Sequence, residues 1–115
     1  MNEGKEMTPP EIAAVEDALQ KWKAAGVYIW SYFVSHRQLA LRMQRPGERN
    51  NVHIVCTGCS YLQGKPVWSG SNLSFEKLVT SEPYAQYVLQ DEVGQFRAVF
   101  THATVEFDVA PMHTA

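Results

Sequence analysis

The spacing of hydrophobic positions changes once along this chain, at Gly26. Before it, Ile12, Val15, Leu19 and Trp22 recur every three or four residues and make one apolar stripe, while Glu16, Asp17, Gln20, Lys21 and Lys23 take the opposite side. That period predicts an amphipathic helix. The run "TPPE" supplies its start: Thr8 suits the N-cap, Pro9 the first helical position, and Glu11 the reciprocal partner of a capping box. Gly26 is expected to end the helix as a left-handed cap. Residues 1–7, "MNEGKEM", read as a loose tail.

After Gly26 the period falls to two. "VYIWSYFV" (27–34) is dense in aromatic and β-branched residues, and "QLALRMQ" continues as strand after "SHR", a turn or a bend. "RPGERN" is a turn, "VHIVCTG" a strand and "GKP" a break. "VWSGSNLSFEKL" reads as one strand kinked at Gly70, "PYAQYVLQ" as another, and "DEVGQ" as a hairpin loop. "FRAVFTHATVEFDV" is then the last and longest strand. The predicted fold is α+β: one N-terminal helix packed on a twisted, mostly antiparallel sheet of about six strands. It forms a single domain over 1–115, with a tail at 1–7, a helix at 8–26 and the sheet at 27–110. Short connections permit a meander. Cystatin-like and cone-shaped nuclear-transport-factor-like folds share this general plan, a likeness of architecture that carries no function.

The first strand points to a site. Tyr28, Trp30, Tyr32 and Val34 fall on one side of it; Val27, Ile29 and Phe33 fall on the other. A sheet with one solvated face alternates apolar with polar. This strand does not, so both its faces are expected to be covered, one by the helix and the other by a partner subunit, a loop or a ligand. Along the last strand Val99, Ala103, Val105, Phe107 and Val109 are expected to face the helix. Phe96, Ala98, Phe100, His102, Thr104, Glu106 and Asp108 take the other side, which begins apolar and ends polar. Tyr28, Trp30, Tyr32, Phe96, Phe100 and His102 are therefore the candidate ligand- or interface-binding residues. His102 and Glu106, four apart on one strand, stand roughly 13 Å from each other and make no acid–base pair.

"HIVCTGCSY" carries the spacing His53-x-x-Cys56-x-x-Cys59. Zinc would need four converging ligands. On a straight strand, residues three apart point to opposite faces, so His53 and Cys56, and likewise Cys56 and Cys59, are expected to diverge. A redox pair would need a helix start to lower a thiolate pKa, and Gly64-Lys65-Pro66 leaves no room for one. The cysteines read as strand residues, and no metal ligand is assigned.

Composition narrows the functional classes. The chain has 115 residues, 45% hydrophobic and 19% charged, with a formal net charge of −2, which is a globular profile. No basic stripe suggests nucleic acid. Arg37, Arg42, Arg45 and Arg49 read as a solvated hairpin face and tip. The longest apolar run falls far short of the roughly 20 residues of a spanning helix, so no membrane partner is expected. The polar start lacks a secretion signal, and two cysteines suit a reducing cytoplasm. No Ser-His-Asp order, phosphate-binding glycine loop, H-E-x-x-H or close carboxylate pair is present. No catalytic residue and no cofactor is assigned. The expectation is a small, soluble, non-enzymatic interaction protein that forms a homodimer through an aromatic sheet face. The alternative is a small-molecule binding module, or a small enzyme, with a cup-shaped pocket lined by Tyr28, Trp30, Tyr32, Phe100 and His102.

Overall fold

The structure, a computed structural model, describes residues 6–107. Helix α1 spans Pro9–Lys21 and opens with the expected capping box: the Thr8 side chain accepts from the Glu11 amide, and a Glu11 carboxylate oxygen accepts from the Thr8 amide at 2.7 Å. Val15, Ala18 and Leu19 are buried along it, and Trp22 caps its C-terminus with its indole almost fully covered. Two expectations need correcting here. The left-handed residue after the helix is Ala24 (φ 71°), and Gly26 opens the first strand instead. The tail is anchored at its end: Met7 is buried, and its amide donates to the Tyr87 hydroxyl at 2.8 Å. The rest of the expected tail, residues 1–5, lies outside the described residues.

One helix packs against antiparallel sheets, so the α+β class holds, but the described residues contain nine strands in two sheets. They are β1 (Gly26–Phe33), β2 (Gln38–Gln44), β3 (Asn51–Thr57), β4 (Tyr61–Gln63), β5 (Val67–Trp68), β6 (Ser74–Leu78), β7 (Gln86–Asp91), β8 (Phe96–Phe100) and β9 (His102–Phe107). Two hairpin-linked meanders, β1-β2-β3 and β6-β7-β8, form the centres. The first is widened to β5-β1-β2-β3-β9 and the second to β4-β8-β7-β6. No helix among the described residues is long and apolar enough to cross a membrane.

Two segments expected as single strands are split between the sheets. "VWSGSNLSFEKL" divides at Gly70 (φ 66°) into β5 and β6. Asp91 fixes β5 in place: its buried carboxylate accepts from the Trp68 indole at 2.9 Å and from the Asn72 amide at 2.7 Å. "FRAVFTHATVEFDV" divides at Thr101, whose amide and hydroxyl both donate to the Thr57 carbonyl, at 3.0 and 3.2 Å. The chain thereby leaves one sheet and enters the other. The break shifts the strand's phase. Phe96, Ala98 and Phe100 turn into the core from β8, and Ala103 with half-buried Val105 does so from β9. The expected core face is right for Ala103 and Val105, and wrong for the residues before Thr101 and for Phe107, which is 63% exposed. Asp108 and Val109 lie outside the described residues.

The two sheets and the helix share one core. Val15, Leu19 and Trp22 meet Val27, Leu39, Leu41, Met43, Val52 and Ile54 of the first sheet and Tyr87, Leu89 and Phe100 of the second. The helix runs along β9 of one sheet and β6 of the other. Gly94 marks how closely the parts approach: a Cβ there would lie 2.4 Å from the Trp68 ring.

Candidate functional site

The outer face of the five-stranded sheet carries Tyr28 and Trp30. Strand register sets a row across it: Val67 opposite Tyr28, Tyr28 opposite Arg42, Arg42 opposite His53, and His53 opposite Glu106. Trp30 stands out of register, because the pairing passes from Ile29–Leu41 directly to Ser31–Ala40. Such a bulge gives one strand an extra residue and reverses the alternation beyond it. Tyr28 and Trp30 therefore share the outer face, whereas Tyr32 pairs with core residue Leu39 and Phe33 takes the outer position. The expected Tyr28–Trp30–Tyr32 alignment is broken by that one residue.

Trp30 is half-buried because it packs on two polar side chains. The Arg42 guanidinium lies 4.6 Å from its ring centre, and the His53 ring lies 5.5 Å away at 59°. A guanidinium over an indole face is attracted by the ring quadrupole. Arg42 also donates to Gln44 at 3.0 Å, and its Nη1 sits 3.4 Å from His53 Nε2. Arginine can only donate, so Nε2 must offer its lone pair, which requires a neutral imidazole. Burial, and then the neighbouring Arg42 charge, hold the His53 pKa below its ordinary value. The arginine group is thus only partly the solvated face expected: Arg37 and Arg49 are exposed, and the other two are engaged. Arg42 is almost fully covered, and Arg45 stacks on Trp22 while donating to the Lys21 carbonyl at the helix end.

His102 belongs to a different place, a half-open cleft of about 640 Å³ where the helix N-terminus meets the ends of β3 and β9. Its lining includes Thr8, Glu11, Arg37, Thr57, Tyr84 and His102. Glu11 is used twice: one carboxylate oxygen closes the capping box, and the other lies 3.1 Å from His102 Nε2. The Thr8 amide, and next the His102 hydrogen bond, lower the Glu11 pKa. Gly58 shapes the floor, with φ at +67° and room for no side chain, since a Cβ would lie 2.2 Å from the Thr101 hydroxyl.

The six candidate residues are therefore dispersed. Tyr28 and Trp30 meet on the outer face, Tyr32 is at a strand end, Phe96 and Phe100 are core, and His102 lines the cleft. A single cup lined by Tyr28, Trp30, Tyr32, Phe100 and His102 does not form. Arg42, His53, Glu11 and Arg37 were not among the candidates. The in-phase pair Arg42–Gln44 was visible in the sequence, but its alignment with His53 depends on a strand pairing that was not.

His53 and Cys56 do lie on opposite faces, the one stacked on Trp30 and the other in the core. Cys56 and Cys59 do not diverge as expected. Gly58 turns the chain, both thiols are buried and free, and burial, with the other thiol close by, pushes the Cys56 pKa well up. Burial likewise raises that of Cys59, whose thiol donates to the Tyr61 carbonyl. Both behave as small apolar residues. Among the described residues no cluster of three or more His, Cys, Asp or Glu side chains is placed to hold a metal ion.

No family model, no curated protein and no solved structure matches this chain.

Proposed function

We propose that this chain is an interaction protein that pairs with a second copy of itself through the outer face of the five-stranded sheet. The observation that carries this reading is the solvent exposure of that face: Tyr28 is 42% exposed, Phe33 50% and Val67 50%. Trp30, on the same face, packs on Arg42 and His53. Exposed apolar groups clustered on one surface mark interaction sites more often than chance placement. A twofold axis lying in the face and running across the strands sets β1 over its copy, so aromatic meets aromatic. Twofold pairing is the commonest closed assembly.

Size sets the strength. Four strands of six to eight residues and the two-residue β5, about 4.8 Å apart with about 3.3 Å per residue, give a face of roughly 500 Å². Stable interfaces bury about 800 Å² per partner. The dimer is accordingly weak and concentration-dependent. Sedimentation equilibrium over a concentration series tests it. Self-association should appear at tens to hundreds of micromolar and vanish in Trp30→Glu, whose carboxylate would meet Arg42, and in Tyr28→Glu, an exposed position that leaves the cover of Arg42 in place. A wild type that stays monomeric throughout that range rejects the reading.

A second reading, binding of a small molecule, is favoured by the cleft beside His102 rather than by the aromatic face.

A further inference from the structure

The cleft lining holds charges of both signs, and most of them are already engaged. The Glu6 carboxylate is 2.9 Å from Lys77 Nζ. Glu11 serves the Thr8 amide and His102. Arg37 is the exception. Its backbone carbonyl is tied by the Cys59 amide at 2.9 Å, but its guanidinium has no carboxylate within ion-pair distance among the described residues. It lines a cavity of about 640 Å³, a volume typical of small-molecule sites.

We propose that the cleft binds a small organic carboxylate, with the Arg37 guanidinium as its anchor. This rests on the second reading of function and gives that site its charge preference. A planar guanidinium fork matches a carboxylate with two parallel hydrogen bonds. The Tyr84 ring on the cleft wall offers a flat surface to an aromatic or aliphatic body. Glu6 and Glu11 set an upper limit on ligand charge. Their carboxylates, each already paired, repel a phosphate dianion more than a monoanion. A cation would have to displace Lys77 or His102 to reach either acid, and would face Arg37.

Benzoate, phenyl phosphate and benzylammonium share a ring and differ in charge, so they separate the possibilities. Each is titrated to millimolar concentration into the full chain and followed by amide chemical shifts. Benzoate should give saturable shifts at Arg37, Gly58 and His102, more tightly than phenyl phosphate, and benzylammonium should give none. Arg37→Gln, a change at an exposed turn, should keep the dispersed spectrum and weaken benzoate by about tenfold or more. Arg37→Lys should fall between, because it keeps the charge and loses the fork. Tighter binding of benzylammonium or phenyl phosphate overturns the carboxylate assignment and leaves a small-molecule cleft standing. Benzoate binding equal in wild type and Arg37→Gln overturns the anchor. No saturable shift from any of the three overturns the proposal together with the second reading.

Discussion

The two sheets bury the same core and treat an arginine on the outer face in different ways. On the outer face of the four-stranded sheet, Gln63, Arg97, Gln90 and Ser74 align across the strands, and Arg97 donates to Gln90 at 2.8 Å. Tyr61, on the same face, turns its hydroxyl to Gln63. There the polar side chains serve one another. On the five-stranded sheet the corresponding central arginine, Arg42, is nearly covered, and its cover is an aromatic ring. The guanidinium is stacked on the indole, so the charge lies nearly sealed beneath an aromatic ring. Position in a sheet therefore does not decide whether an arginine acts as a solvated charge. The ring laid over it does.

Three experiments sharpen this contrast. The largest effect is expected from Trp30→Ala, which removes the cover from Arg42 and His53. It should cost about 2–4 kcal/mol in urea unfolding, whereas Tyr61→Ala on the other sheet should cost under about 1 kcal/mol. Equal losses would erase the distinction between the faces. Next comes the arginine pair. Arg42→Ala should cost about 2 kcal/mol, through lost stacking and an unsatisfied buried histidine, against about 0.5 kcal/mol for Arg97→Ala. A double-mutant cycle of Trp30 and Arg42 should show coupling that Tyr61 and Arg97 lack.

The smallest effect is a pH dependence. His53 has a folded pKa below its ordinary value of 6.5, so the unfolded chain takes up the proton more readily. Its contribution to stability is complete above that value and is lost as pH falls through it and on through the folded pKa. Melting temperature measured from pH 7.5 to 5 should decline, and His53→Gln should flatten the decline. A wild-type curve that rises on acidification would contradict the neutral, Arg42-facing imidazole.

Local chemistry was legible in the sequence. Thr8, Pro9 and Glu11 announced the helix start because a capping box is made within four residues. Features made between distant segments were not. The Trp30 bulge exists only relative to β2, so alternation alone put Tyr32 on the wrong side. The break at Thr101 did leave a trace: the apolar positions Phe96, Ala98 and Phe100 are even-numbered, and Ala103 and Val105 are odd. An offset of one between two in-phase runs is the mark of a strand that changes phase, and reading it as one continuous strand concealed it. Of the candidate site, the shared face of Tyr28 and Trp30 was legible. The cleft was not, since Glu11, Arg37 and His102 meet only once helix, hairpin and last strand are assembled.

The turn at Thr101 also orders events in time. β8 closes locally against β7, but β9 must find β3, and Thr57 and His102 stand 45 residues apart in the chain. The whole second sheet lies within that interval. If it forms first, the free chain to be closed between Thr57 and His102 shrinks, and with it the entropy of closure. Docking of β9 is then a late step, and the amide of Met7, which reaches Tyr87 across 80 residues, comes to rest at a comparable stage. Such long-range pairings raise contact order, which slows folding. The cleft has walls from β3, β9 and the helix start, so it is among the last parts of the molecule to exist.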